Sequence, residues 1–153
     1  MYIPALDHYY DCRTYSNHKT IINKKFGKSF IMCILIIDDD HMILELIKRV
    51  LEMAGIQVVT AENGEKGIQK FDNGIFDMVI TDLFLPVIDG NGVARHIRNS
   101  VRESIPIIGI SASIDYFEED IFDCIISKPF SIRSLLKNVL NLSTQDLCAV
   151  QNV

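Results

Sequence analysis

The chain has 153 residues, a formal net charge of −5, 48% hydrophobic residues and no tryptophan, which suits one domain of ordinary size with a real core. No apolar run approaches the roughly 18 residues of a membrane span, and the first residues lack the apolar stretch of a signal peptide. A cytoplasmic protein that does not engage a membrane is therefore expected.

Residues 1–30 hold five basic side chains (Arg13, Lys19, Lys24, Lys25, Lys28) against Asp7 and Asp11, which leaves +3 there and −8 in the remainder. That balance argues against nucleic-acid binding by the main body. The same segment is rich in Tyr, Asn, Lys and His without clear periodicity, so it reads as a flexible or partly docked arm. Residues 31–143 read as the structured domain and 144–153 as a short tail. Cys12, Cys33, Cys124 and Cys148 have no metal-type pairing, and Cys33 and Cys124 stand beside apolar runs, as small buried thiols do.

From Cys33 the elements alternate. Cys33 to Ile37 is a continuous apolar run, as expected of a central strand covered on both faces. Ile43, Leu46, Ile47, Val50 and Leu51 then recur at helical spacing, and Gly55 stops that helix. Gln57 to Ala61 is a short β-branched strand. Glu65 to Phe71 forms a second helix, with Ile68 and Phe71 inward, ending at Asn73-Gly74. Met78 to Thr81 is the third strand, and Asn91 to Asn99 the third helix with Val93 and Ile97 inward. Ile107 to Ile110 follows Pro106 as a fourth strand. A fifth starts at Ile121 or Phe122 and runs to Ser127. Ser131 caps a last helix whose Ile132, Leu135, Leu136, Val139 and Leu140 form the buried stripe. Five strands with intervening helices predict a doubly wound α/β sheet.

Polar residues sit immediately after these apolar runs: Asp38-Asp39, Asp82, Ser111 and Lys128-Pro129-Phe130. In a parallel sheet the carboxyl ends of strands face the ligand. Three carboxylates, a hydroxyl and an ammonium would thus converge on one place. Crowded carboxylates need a cation, and without a nearby Cys/His set the donors favour a hard ion such as Mg²⁺. A metal, a carboxylate able to act as nucleophile and a cationic side chain together describe phosphoryl transfer.

From about Met32 to about Leu142 the chain resembles the receiver domain of two-component response regulators. The resemblance rests on the acidic pair, the Asp-Leu-Phe-Leu-Pro segment, the Asp89-Gly90 turn, the Ile-Ser-Ala segment and the Lys-Pro-Phe segment, all in the family's order. It implies a flavodoxin-like sheet of order 2-1-3-4-5, the order the two acidic strand ends need to meet at the switch point. It further implies that Asp82 is the phosphoacceptor, that Asp38, Asp39, Asp82 and the main-chain carbonyl of Phe84 bind Mg²⁺, and that Ser111 is the switch hydroxyl. It also implies that Lys128 is the lysine that contacts the phosphate. The implied activity is that of a signalling domain rather than an enzyme. The expected partners are a histidine kinase or histidine phosphotransfer protein as donor and a downstream protein that the sequence does not name. With only a short polar tail after Leu142, a stand-alone receiver is expected.

The chain departs from the family at two points. Receivers usually carry Phe or Tyr three residues before the lysine, where this chain has Ile125. The stretch from Ser111 to Lys128 is also shorter by roughly a helical turn, so the fourth helix is expected to be short or irregular. These departures keep open a degenerate receiver that binds a partner without phosphorylation. Asp38-x-Asp40 keeps open a small phosphohydrolase of the haloacid-dehalogenase type. The plainest reading of Asp38 to Asp40 is a strand end and helix cap, of Asp89-Gly90 a turn, and of His41 an exposed helix residue.

Overall fold

The computed structural model describes residues 10–11, 32–118 and 120–149. Its elements in chain order are β1 (Tyr10–Asp11), β2 (Cys33–Ile37), α1 (His41–Met53), β3 (Gln57–Ala61), α2 (Gly64–Asn73), β4 (Gly74–Ile75), β5 (Met78–Asp82), α3 (Gly90–Arg98), β6 (Ile107–Ser111), a 3₁₀ turn (Ile114–Tyr116), β7 (Cys124–Ser127) and α4 (Ile132–Ala149).

Five of the strands form one parallel sheet in the order β3-β2-β5-β6-β7. Counted among themselves, these strands have the expected order 2-1-3-4-5. All residues of β2, β5 and β6 are buried, which is why their sequences run apolar without alternation. Alternate residues nonetheless serve different cores. Ile34 and Ile36 face α1 and α4 with Leu44, Ile47, Leu51, Leu135 and Val139. Cys33, Leu35 and Ile37 face α2 and α3 with Phe71, Val93 and Ile97.

The helix faces differ in detail from the sequence reading. In α1 the buried stripe is Leu44, Ile47 and Leu51, while Leu46 is 50% exposed. In α4 Leu135 and Val139 are fully buried and Leu140 is 52% exposed, because 3.6-residue periodicity turns Leu140 away from the seam those two define. Ser131 caps α4 as expected, its Oγ accepting the N–H of Ser134 at 3.1 Å.

Between β6 and β7 the chain makes a single 3₁₀ turn where a fourth α-helix would stand, in line with the shortness of that stretch. Phe117 and Phe122 meet edge to face with centroids 4.8 Å apart. They pack over Gly109, where a Cβ would lie 2.3 Å from the Phe117 ring. Seating Phe122 there, and using Asp123 to accept the Ile107 N–H at 2.7 Å, delays the start of β7 to Cys124.

Tyr10 and Asp11 pair in parallel with Gly74 and Ile75 as a separate two-stranded sheet, so the arm is docked at these two residues, one of the two readings its sequence left open; the rest of residues 1–31 lies outside the described residues. Cys33 is fully buried and disulfide-bonded, which corrects its reading as a free thiol. Cys124 is free, its thiol pKa raised by burial and then by the neighbouring charge of Asp123.

Candidate functional site

Sheet register decides which side chains meet. Ile37 pairs with Thr81, so Asp38 and Asp82 leave adjacent strands side by side. Asp82 pairs with Ile110, one residue before Ser111, and Ser111 pairs with Ser127, one before Lys128. Main-chain bonds continue the registration past the strand ends. Leu83 donates to the Ile110 carbonyl at 3.0 Å and Lys128 to the Ser111 carbonyl at 2.7 Å.

At this edge the Lys128 ammonium lies 2.8 Å from Asp82 Oδ1 and 3.3 Å from Asp38 Oδ2. Both carboxylates are buried, Asp38 at 2% exposure and Asp82 at 6%. Asp38 Oδ1 accepts the Asp40 N–H at 2.9 Å, and Asp82 Oδ2 accepts the Phe84 N–H at 3.0 Å. Ser111 is fully buried, and its Oγ accepts the Ser113 N–H at 3.1 Å. Lys128 precedes Pro129 across a cis peptide bond.

Two buried carboxylates share one ammonium, and the electrostatics follow. Burial raises the pKa of Asp38, against the lowering effect of the Asp40 N–H and the Lys128 charge. Burial alone would lower the pKa of Lys128. Its hydrogen bond to Asp82 and the charges of Asp38 and Asp82 outweigh that, and the net shift is upward. The cluster thus retains an excess of negative charge that Lys128 does not cancel.

The acidic triplet divides its work. Asp38 points into the site. Asp39 is exposed at the rim, and among the described residues no three His, Cys, Asp or Glu side chains gather as a ready metal cage. Asp40 is the N-cap of α1, accepting the N–H groups of Met42 at 2.8 Å and Ile43 at 3.4 Å, which is the plain capping role. His41 opens α1 and is exposed. Ile125, at the usual aromatic position, is 43% exposed.

Phe84 sits in the loop after β5. Its ring is 52% exposed and meets Tyr116 edge to face with centroids 5.7 Å apart. In the same loop Val87 has φ = 68°, a left-handed conformation that is strained for a β-branched residue, at about 1–3 kcal/mol. The cavity lined by His41, Glu45, Thr60, Glu62, Lys66 and Lys70, about 370 Å³, lies between α1, β3 and α2 and includes none of Asp38, Asp82, Ser111 or Lys128.

Sequence reasoning missed two supports of the site. Gly90 donates its N–H to the Leu83 carbonyl at 2.8 Å, and a Cβ there would lie 2.3 Å from the Asp82 carbonyl oxygen. Only glycine lets α3 approach the strand end this closely. The Asp89-Gly90 pair was therefore a signal for close packing as well as a turn, with Asp89 capping α3 through the Gly92 N–H at 2.7 Å. The second support is Asn91, 8% exposed, whose side chain holds the segment after β6. Nothing in its sequence context marked it.

A doubly wound parallel sheet with buried acids and a lysine at its carboxyl edge defines the class of switch-point binding folds. The chain belongs to the response regulator receiver domain family, whose model matches residues 34–140. It is 37% identical over 113 residues to the nisin biosynthesis regulatory protein NisR of Lactococcus lactis subsp. lactis, covering 69% of this chain and 48% of that protein. It is 31% identical over 107 residues to the alkaline phosphatase synthesis transcriptional regulatory protein PhoP of Bacillus subtilis, covering 67% and 44%. The chain thus spans about half the length of these curated relatives. Among solved structures it is similar to the response regulator TrrA of Thermotoga maritima in complex with Mg²⁺-BeF, with a TM-score of 0.68, 35% identity, and 73% and 99% of the two chains covered. The chemotaxis response regulator CheY4 of Vibrio cholerae shares the fold at a TM-score of 0.69 and 24% identity, over 74% and 99%. Receiver domains are signalling domains of two-component systems. No helix among the described residues is long and apolar enough to cross a membrane.

Proposed function

We propose that this domain accepts a phosphoryl group on Asp82 from a phosphohistidine of a partner kinase or phosphotransfer protein, in a Mg²⁺-dependent reaction, and signals by changing its contacts with another protein. The observation that carries the reading is Lys128 held between two buried carboxylates, Asp38 and Asp82. A solvated surface acid or a simple cap has no use for such an arrangement.

The residues fit the ion. The donors around Asp82 are carboxylate and main-chain oxygens, hard ligands of the kind Mg²⁺ takes, and their uncancelled negative charge calls for a cation. Asp39, Asp82 and the Phe84 carbonyl would hold it directly and Asp38 through water. Bound there, Mg²⁺ supplies charge neutralisation for the carboxylates and the transferring phosphoryl oxygens.

The chain's own residues do the rest. An Asp82 carboxylate oxygen forms the new P–O bond as the donor's P–N bond breaks, and the imidazole nitrogen keeps the electron pair. Lys128 balances the charge spread over the equatorial oxygens. The phosphoryl group then offers strong acceptors to the Ser111 hydroxyl, whose Oγ meanwhile accepts the Ser113 N–H. Drawing that hydroxyl toward the phosphoryl group moves the segment after β6, which is tied to Ser111 through Ser113. The acidic balance of residues 31–153 supports protein rather than nucleic-acid contact by this domain.

Uptake of beryllofluoride, a phosphoryl mimic, tests the reading by ¹⁹F NMR. A bound signal that needs Mg²⁺ and disappears in Asp82→Asn is expected. A second reading, a receiver that binds partners without phosphorylation, is favoured by the aliphatic, half-exposed Ile125. It predicts no bound signal in the wild-type protein.

A further inference from the structure

The segment between β6 and β7 is held by side chains of α3 rather than by a helix of its own. Asn91 Nδ2 donates to the Tyr116 carbonyl at 2.8 Å, and Asn91 Oδ1 accepts the Glu118 N–H at 3.1 Å. Arg95 forms an ion pair with Glu118. Arg98 donates to the Ile121 carbonyl at 3.0 Å and to Asp123 at 2.7 Å. The other end of the segment is tied to Ser111 through the Ser113 N–H.

Tyr116, between these anchors, touches Phe84. Phe84 in turn donates its N–H to Asp82 Oδ2. Both rings are more than half exposed, so core burial does not explain their meeting. An unbroken path therefore leads from the Asp82 carboxylate, through the Phe84 backbone and ring, to the ring of Tyr116 and the Asn91 latch.

We propose that the Phe84–Tyr116 ring pair, backed by the Asn91 latch, transmits the state of Asp82 to the segment after β6. The proposal rests on the phosphoacceptor reading of Asp82. Converting the carboxylate to its phosphorylated form changes the acceptor that orients the Phe84 N–H, and the loop shifts to suit. The ring contact passes that shift to Tyr116. Asn91 decides how much of it the segment yields, since both its amide groups are engaged there. Ser111 supplies the pull at the segment's start and the ring pair the push at its middle.

Amide hydrogen exchange over residues 113–118, with and without beryllofluoride and Mg²⁺, provides the test, with ¹⁹F NMR run in parallel to measure occupancy of Asp82. In the wild-type protein, beryllofluoride is expected to change exchange in this segment by about 2- to 10-fold, the range an aromatic pair can supply. Tyr116→Phe keeps the ring and should keep the response. Tyr116→Leu should bind beryllofluoride equally and lose most of the response. Asn91→Ala should exchange fast in both states.

A response in Tyr116→Leu equal to that of the wild type, at equal occupancy, would overturn the proposal alone. Absence of bound beryllofluoride in the wild-type protein would overturn the phosphoacceptor reading and the proposal with it.

Discussion

At the residue scale, the site is a problem of charge. Asp38 has its pKa raised chiefly by burial. Between its ordinary value of 3.8 and the raised one, the folded protein keeps a proton that the unfolded chain has released, so stability falls as pH rises through that window. Above it the Asp38 charge opposes folding. In metal-free buffer, Asp38→Asn is therefore expected to unfold at higher urea than wild type at pH 7, with the gap closing toward pH 4. Lys128 acts in the opposite sense. Its raised pKa means that its contribution is complete below 10.5 and is lost as pH rises through the folded value. Lys128→Met leaves two buried carboxylates without their cation and should cost about 3 kcal/mol, read from the same urea midpoints. A Lys128→Met protein as stable as wild type would show that the bridge carries no weight.

At the scale of elements, the sequence was most legible where burial on both faces left continuous apolar runs. β2, β5 and β6 lie within a residue of their expected bounds, and the carboxyl ends that carry Asp38, Asp82 and Ser111 follow from them. Legibility failed where the deciding contact is long-range. Leu46 and Leu140 fit a helical stripe on paper, but helix rotation against the sheet left both exposed. β7 begins late because Phe122 serves the Phe117 contact over Gly109, which no local pattern encodes. The two-residue pairing of β1 with β4 is too short for any periodicity. The acidic triplet was legible as a cluster but not in its division of labour. Since Asp40 caps α1, Asp40→Ala should lower stability by about 1 kcal/mol while leaving Mg²⁺-dependent uptake of beryllofluoride intact. Loss of uptake without loss of stability would instead make Asp40 a ligand.

For the whole molecule, the doubly wound sheet explains why residues far apart in sequence reach one edge, and the stretch between β6 and β7 departs from the expected pattern by making a 3₁₀ turn in place of a fourth α-helix. The basic arm contributes Tyr10 and Asp11 to a small side sheet, while the main sheet and both cores are built from Met32 onward. A protein lacking residues 1–31 is therefore expected to fold cooperatively, judged by a single coincident transition in far-ultraviolet circular dichroism and calorimetry. An unfolded product would make the arm part of the domain.

The central claim, that Asp82 receives the phosphoryl group, is tested most directly by incubating the protein with acetyl phosphate or a phosphohistidine donor and mapping the modified residue by mass spectrometry. The account predicts a single phosphoryl group per chain, on Asp82, formed only with Mg²⁺ and absent from Asp82→Asn. Modification elsewhere, labelling indifferent to Mg²⁺, or no labelling from either donor would contradict it.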